Sequence, residues 1–322
     1  MRILTLTALL FLSFFTLSAQ VDKTAVEAFI TSFAKEHNKT EAEIRAILDG
    51  ATYKQDIIDK ISKPAEGTMT WERYRKIFMT DERIEAGVKF WNEHKEALEK
   101  ISDDTGVAKE VIIGIIGVET YFGRIKGSYK VLDALYTLGF GYPKRGKFFR
   151  SELEKYLILA ETEGLDINSV QGSYAGAMGY SQFMPSSYIA YAKSYDEGTA
   201  NLIDSPEDAM ASVANYIKVH RWQTGAPVTT KAIFKRDVGK LNKQVLRPKN
   251  NLSDYTAIDI VPEEKIEGNP KATLIILESG EEKEHWFGFY NFYVITRYNH
   301  SKMYAMAVHQ LGQAIKAKVE AQ

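Results

Sequence analysis

The chain has 322 residues, with 41 Lys and Arg against 42 Asp and Glu, a formal net charge of −1, 45% hydrophobic and 26% charged residues. That balance excludes a long disordered tail, a collagen-like fibre and a generally basic nucleic-acid binder, each of which needs a compositional bias absent here. With no cysteine in the sequence, disulfides, iron–sulfur clusters, thiolate zinc sites and a thiol nucleophile are excluded, and a chain of this size buries a large core without such staples.

Met1-Arg2 supplies a short positive end, Ile3 to Leu17 holds only Ser and Thr among its apolar residues, and Ala19 follows as a small residue. This is the pattern of a secretory signal over residues 1–19 cleaved after Ala19, and the run falls short of the roughly 20 residues of a membrane span. No later run is comparable, so no integral membrane span is expected in the mature chain. Residues 20–110 read as an N-terminal helical domain: Thr40-Glu41-Ala42-Glu43 has capping-box spacing, and Arg83 to Lys100 alternates apolar and charged residues at helical intervals. Lys63-Pro64-Ala65-Glu66-Gly67 breaks the pattern, after which Trp71, Tyr74, Ile77 and Phe78 form a helical stripe that reads as core packing. Residues 111–224 are helical again, interrupted by two Gly-rich stretches, and Ser205-Pro206-Glu207-Asp208 is a strong helix start. Residues 225–285 shift to short β-like runs such as Thr273 to Leu277, a small β-module, and residues 286–322 return to helix from Ser301 to Lys318. The fold class is mainly α (α+β).

Two constellations carry chemistry. Glu119 follows Ile116, Ile115 and Ile112 by three, four and seven residues, so it extends an apolar helical stripe and faces inward. Apolar surroundings disfavour the charged form of a carboxyl, which suits a general acid; a Glu bonded at a helix end is the structural alternative. In Gln171 to Tyr188, glycines at 172, 176 and 179 allow close backbone approach, Tyr174, Tyr180 and Tyr188 offer flat faces with polar tips, and Ser173 and Gln182 offer hydrogen bonds. A pyranose, with one apolar face and a hydroxyl rim, fits that combination; tight helix packing around small residues fits it too.

Ile113-Gly-Ile-Ile-Gly-Val-Glu119-Thr, Gly172-Ser-Tyr-Ala-Gly-Ala-Met-Gly-Tyr-Ser-Gln-Phe-Met-Pro-Ser-Ser-Tyr188, Ser212-Val-Ala-Asn-Tyr216 and Asn291-Phe-Tyr-Val-Ile-Thr-Arg-Tyr-Asn-His-Ser301 resemble the lytic murein transglycosylase B family, glycoside hydrolase family 103. The likeness extends to Thr70-Trp-Glu-Arg-Tyr-Arg75, Leu132-Asp-Ala-Leu135 and Tyr304 to Gln313, in order along most of the mature chain. The resemblance implies a lysozyme-like helical core around 111–224 and 286–322, an N-terminal helical layer and an inserted β-module. It implies a periplasmic enzyme that cleaves the β-1,4 bond between N-acetylmuramic acid and N-acetylglucosamine in peptidoglycan and leaves 1,6-anhydromuramic acid. Positional matching makes Glu119 the single catalytic acid/base and places Ser173, Gln182, Tyr216, Tyr298, Asn299 and Tyr304 along the glycan groove, with Tyr74 and Arg145 as weaker candidates. Peptidoglycan strands are the expected partner, cell-wall synthesis proteins are candidate partners, and neither nucleic acid nor a cofactor is expected.

On the residues themselves, Ala209, Val213, Tyr216 and His220 share one helical face, so Tyr216 also reads as a core aromatic with its hydroxyl satisfied. Gly141 to Lys147 lacks the Ser/Thr and the preceding strand of a phosphate loop, and the scattered histidines form no metal motif. Some family members carry an EF-hand-like loop at the stretch matching Lys193 to Asp204; here Lys193 and Tyr195 stand where oxygen ligands are expected, so tight calcium binding is expected to be lost. Two other functions compete: a muramidase using water, with Asp133, Asp196 or Asp204 as second carboxylate, and a non-catalytic wall-binding protein that kept the groove.

Overall fold

The computed structural model describes residues 21–63, 69–236, 245–280 and 282–322. The signal-like residues 1–19 and positions 64–67 of the expected break lie outside these. The first three helices, α1 (Lys23–Glu36), α2 (Glu41–Asp49) and α3 (Gln55–Ser62), form a short antechamber of the chain. The Thr40 capping box is present: Thr40 Oγ1 accepts from Glu43 N and the Glu43 carboxylate accepts from Thr40 N at 2.7 Å. Next come α4 (Trp71–Phe78), α5 (Asp81–Glu93) and α6 (Lys95–Thr105), the last closed by Gly106 in the left-handed region.

Then follow α7 (Lys109–Thr120), a two-residue strand β1 (Tyr129–Lys130), α8 (Val131–Gly141), α9 (Gly146–Thr162), β2 (Gln171–Gly172), α10 (Pro185–Tyr191) and α11 (Pro206–Val219). Helix α11 begins as its sequence indicates, with Pro206 in the first turn and Ser205 Oγ accepting from Asp208 N at 3.1 Å. The module after it comprises β3 (Thr229–Phe234), β4 (Asn250–Asn251), α12 (Leu252–Thr256), β5 (Ile260–Pro262), β6 (Lys271–Ser279) and β7 (Glu282–Gly288). Its strands form an antiparallel sheet in the order β4-β6-β7-β3-β5, with Leu274 opposite Phe287 and Thr230 opposite Phe287 on the other side. The chain closes with α13 (Tyr290–Tyr298) and α14 (Lys302–Glu320), whose N-cap is Ser301.

Two helical cores and a smaller one under the sheet result. Helices α4 to α7, α11, α13 and α14 share the first with residues of β6; α1 to α3, α8, α9 and α10 share the second; Ala232, Leu274, Phe287 and Phe289 belong to the third. The expected N-terminal layer is therefore divided between two cores. The stripe on α4 is also narrower than its spacing suggests: Trp71 and Tyr74 are buried, while Ile77 is 46% exposed. Helix α7 is apolar nearly all round because it is buried nearly all round. It lies so close to α14 that a Cβ on Gly114 would stand 2.3 Å from the Val308 carbonyl oxygen. Asn291, fully buried, ties the module to the helices through Gln223 and Ala226. Among the described residues no helix is long and apolar enough to cross a membrane.

Candidate active site

Glu119, in the last turn of α7, is half-buried and accepts a hydrogen bond from the Tyr304 hydroxyl at 2.7 Å. Tyr304 comes from the first turn of α14, held there by Ser301 Oγ, which accepts from Tyr304 N. Its ring lies parallel to that of Tyr298, with centroids 6.4 Å apart at 8°. Burial first, and the Glu119 charge second, hold the Tyr304 and Tyr298 phenols well above the ordinary tyrosine range. Both therefore stay neutral, and Tyr304 stays a donor. Tyr298 donates to Ser181 O at 2.5 Å, and Tyr216 donates to Arg297 O at 2.6 Å. Tyr216 stacks on His220 at 4.1 Å and meets Tyr298 edge-on at 4.9 Å, and its burial pushes its phenol up to about 12. Tyr216 and Tyr298 touch both helical cores, so this aromatic wall stands at their seam.

The turn after Glu119 is strained and firmly pinned. Tyr121 and Phe122 both sit in the left-handed region, at φ 51° and 57°, as does Gln182 at 48° in the facing loop. Each such residue costs on the order of 1–3 kcal/mol and persists only where its surroundings dictate it. Here the surroundings do so: buried Thr120 donates to Tyr180 O at 3.1 Å and accepts from Gly123 N at 3.1 Å. Arg83, also buried, donates from Nη1 to Gly117 O at 3.0 Å and lies 4.4 Å over the Tyr121 ring, which also meets Arg124 at 4.8 Å. Burial lowers the Arg83 pKa, and the carbonyl and the ring offset that cost.

The Gly-rich loop is held by its own side chains. Ser173 Oγ accepts from Ala175 N and Ala177 N at 3.3 and 3.1 Å, and Gln182 Nε2 donates to Lys126 O and Gly179 O, both at 3.0 Å. Gly127, at φ +101°, lies so close to the β2 backbone that a Cβ would stand 2.0 Å from Gly172 O. Tyr188 corrects the reading of an available flat face: it is buried, donating to Ala200 O and accepting from Leu202 N.

Asn299 follows α13, half-buried, with its carbonyl accepting from Ser301 N at 2.7 Å. Tyr74 is buried beside Phe78 and adds to the field on Tyr304. The structure thus joins Glu119, Tyr304, Tyr298, Tyr216 and Tyr74, and links the Gly-rich loop to them through Ser181 and Tyr180. Arg145 is different: it is exposed, with its guanidinium over Phe148 and Phe149. Thr120 and Arg83 escaped the sequence reading. The signal for Arg83 was a cation on the stripe of Gly87 and Phe90, at positions i, i+4 and i+7.

The three carboxylates considered for a hydrolase stand in different surroundings. Asp133 is buried and accepts from Thr52 N at 2.8 Å, Asp196 is exposed, and exposed Asp204 lies 4.0 Å from Lys126 Nζ. Among the described residues, the one grouping with metal-ligand spacing is Glu36, His37 and Glu154, between the end of α1 and α9, where His37 and Glu154 pair with each other at 2.9 Å.

The family model described as transglycosylase SLT domain matches residues 22–313. The chain is 40% identical over 299 residues, 90% of its own length and 82% of the relative's, to the membrane-bound lytic murein transglycosylase B of Escherichia coli (strain K12). It is similar to the catenated lytic transglycosylase SltB1 of Pseudomonas aeruginosa, with a TM-score of 0.85 and 42% identity over 91% of this chain and 97% of that one. It is equally similar to the E. coli lytic transglycosylase Slt35 in complex with bulgecin A, TM-score 0.85 and 41% identity over 92% and 94%. Slt35 in complex with calcium gives 0.85 and 40% over the same shares. In this chain the 193–204 loop is tied to α11. Its Lys193 backbone is paired with Ser212, and both oxygens of Asp208 are taken by Tyr195 N and Asn201 N at 2.7 and 2.8 Å.

Proposed function

The chain belongs to the transglycosylase SLT domain family, and from that premise we propose that Glu119 alone carries both proton transfers of its reaction. The enzyme is a lysozyme-like peptidoglycan lytic transglycosylase. It cleaves the β-1,4 bond between N-acetylmuramic acid and N-acetylglucosamine and leaves a 1,6-anhydromuramic end. In the first transfer the Glu119 carboxylic acid protonates the leaving glycosidic oxygen as its bond to C1 breaks. In the second, the Glu119 carboxylate takes the proton of the muramoyl C6 hydroxyl as that oxygen bonds to C1. Glu119 ends protonated, as it began, and water is not consumed. The oxocarbenium-like charge between the two transfers is relieved by the substrate's own acetamido carbonyl, so no second protein carboxylate is needed.

The observation that carries this reading is the Tyr304–Glu119 hydrogen bond at 2.7 Å at the foot of the tyrosine wall. The neutral phenol supports the carboxylate form after the first transfer without supplying a proton of its own. Tyr298 and Tyr216, their hydroxyls engaged with backbone carbonyls, offer ring surfaces to the sugar faces. Ser173 keeps its hydroxyl proton to donate, since both of its contacts are accepted ones. Gln182 and Asn299 complete the groove, with Tyr74 and Arg145 as its weaker candidates. The enzyme works in the periplasm after cleavage following Ala19, and its protein partners are sought among cell-wall synthesis proteins. Residues 20–322 incubated with sacculi test the reading: products lighter by one water than hydrolytic fragments are expected, and reducing muramic ends would refute it.

A further inference from the structure

Helix α1 ends at Glu36, with His37 as its C-cap, and the two meet Glu154 on α9, 117 residues beyond His37. One ligand-type atom from each of the three lies within 4.8 Å of the others. His37 Nε2 donates to Glu154 Oε1 at 2.9 Å, since an ionised carboxylate only accepts. Further contacts hold two of the three in place: Ser32 Oγ donates to Glu36 Oε1 at 2.8 Å, and the His37 ring packs on buried Phe33 with centroids 4.3 Å apart. His94 and Glu207 form a similar pair at 2.6 Å, but among the described residues no third ligand joins them.

The charges around this triad favour a cation. Glu36 stands at the C-terminal end of α1, where the helix dipole is itself negative, and a second carboxylate is held close to it. Among the described residues no lysine pairs with the triad: Lys39 is taken by Glu161, Lys155 donates to Ser151, and exposed Lys35 forms no ion pair. Calcium and magnesium take oxygen ligands, whereas an imidazole nitrogen beside carboxylates suits zinc and its first-row neighbours. Zinc holds such ligands at about 2.0–2.2 Å, which sets them about 3.3 Å apart around a tetrahedral ion. The His37–Glu154 pair has to open only slightly, and exposed Glu36 closes the remainder by a rotamer change. We propose that Glu36, His37 and Glu154 bind a divalent metal ion of the zinc class, which pins the end of α1 to α9. The ion takes the Nε2 lone pair, the ring proton moves to Nδ1, and both carboxylates share the ion in place of that proton. Three protein ligands leave a fourth position to water, so the site is weaker than a closed structural one. Helices α1 and α9 both belong to the second helical core, so the ion acts on stability, independently of the role of Glu119.

Zinc titrated calorimetrically into tag-free residues 20–322 is expected to bind one ion per chain with a Kd of roughly 10 µM. His37→Gln and Glu154→Gln should each weaken that binding roughly tenfold or more. Glu36→Gln, on an exposed side chain, should do the same without altering the melting curve of the metal-free protein. His94→Gln, which removes the pair that lacks a third ligand, should bind as wild type does. At zinc about 100 times Kd the wild-type Tm should rise by several degrees, and the His37→Gln Tm should stay where it is. No binding up to about 1 mM zinc overturns the proposal. Binding that survives His37→Gln, or that is lost in His94→Gln, overturns the assignment to these residues. Calcium or magnesium bound more tightly than zinc overturns the choice of metal. Where a His37 or Glu154 variant folds poorly, Glu36→Gln decides, and unchanged zinc affinity in it sinks the site.

Discussion

At the C-terminal end of α7, Glu119 accepts from Tyr304, Thr120 is bonded to Tyr180 and Gly123, and Tyr298 and Tyr216 each donate to a carbonyl. At its N-terminal end, Trp222, Thr229 and His309 hold polar atoms with no partner among the described residues, whereas the catalytic end has one such atom, Ser181 Oγ. The same two helices therefore support one end whose reacting groups are hydrogen-bonded and another where three buried polar atoms are left unmet. Finished hydrogen bonds are what a proton-transfer site requires, since groups that need not reorganise stabilise developing charge most effectively. The left-handed Tyr121 and Phe122 show what the finished end costs, and the buried grip of Arg83 on Gly117 shows what offsets it.

The comparison breaks first at Glu119. With Glu119→Gln, which keeps the shape and removes the proton, turnover of sacculi should fall roughly a thousandfold or more, because one group serves as both acid and base. Affinity for the glycan should be retained. Turnover within tenfold of wild type would mean that the finished end is finished for something else. Tyr304→Phe keeps the ring on Tyr298 and removes only the hydroxyl that Glu119 accepts. A hydrogen bond to a charged group is worth about 1.5–3 kcal/mol, so kcat should drop between tenfold and a hundredfold with KM little changed. An equal change in KM would place that hydroxyl on the substrate instead.

His309 sharpens the other half of the comparison. Burial depresses its pKa to about 4 from the ordinary 6.5, against an opposing pull from Glu110. Between those values the unfolded chain binds the proton and the folded one does not. Stability from this residue is thus complete above 6.5 and is lost as pH falls toward 4. From pH 7.5 to 5.0 the loss should be roughly 2 kcal/mol, measured as wild type against His309→Gln by denaturant unfolding at both values. Parallel curves for the two proteins would show that water already reaches this end.

Gly114 tests the helix pair that joins both ends. Alanine gains about 1 kcal/mol of helix propensity over glycine, yet its Cβ would lie 2.3 Å from a backbone carbonyl that has no rotamer to escape into. Overpacking costs about 1–3 kcal/mol, so Gly114→Ala should lower Tm and reduce wall cleavage together. A raised Tm would show that α14 yields.

How much of this was legible in the sequence depends on where each signal is written. The run Val111 to Val118 announces a buried helix because apolar residues on every side have one stable location, and Ser205-Pro206 announces a helix start because its caps are local. The partners of side chains are not local. Tyr188 has the composition of a sugar platform and lies in the core, because Ala200 and Leu202, a dozen residues on, take its hydroxyl. Ile77 keeps the helical spacing of Trp71 and Tyr74, but nothing covers that edge of α4 fully. Arg83 serves Glu119 through a carbonyl 34 residues away in sequence, and such a contact leaves no periodicity to read. The same holds for the cavity at the N-terminal end of α7, whose lining comes from five separated segments.

The smallest expected effect concerns the loop 193–204, which meets the catalytic end of α7 only through the backbone bond from Tyr180 N to Leu202 O and the Lys126 side chain on Ile203 O. A ligand held with micromolar affinity and present at about 1 mM would stabilise the fold by roughly 4 kcal/mol, a shift of several degrees in Tm that any thermal melt resolves. Lys193 brings a positive charge to the place of the first oxygen ligand, and the Asp208 carboxylate already accepts from two backbone N–H groups that close the loop. A calcium ion would have to displace those bonds and tolerate that ammonium at short range. The melt with 1 mM calcium should therefore coincide with the melt in chelator to within about 1 °C. A clear rise would mean that the loop reopens to take the ion and that a ligand finishes the fold there.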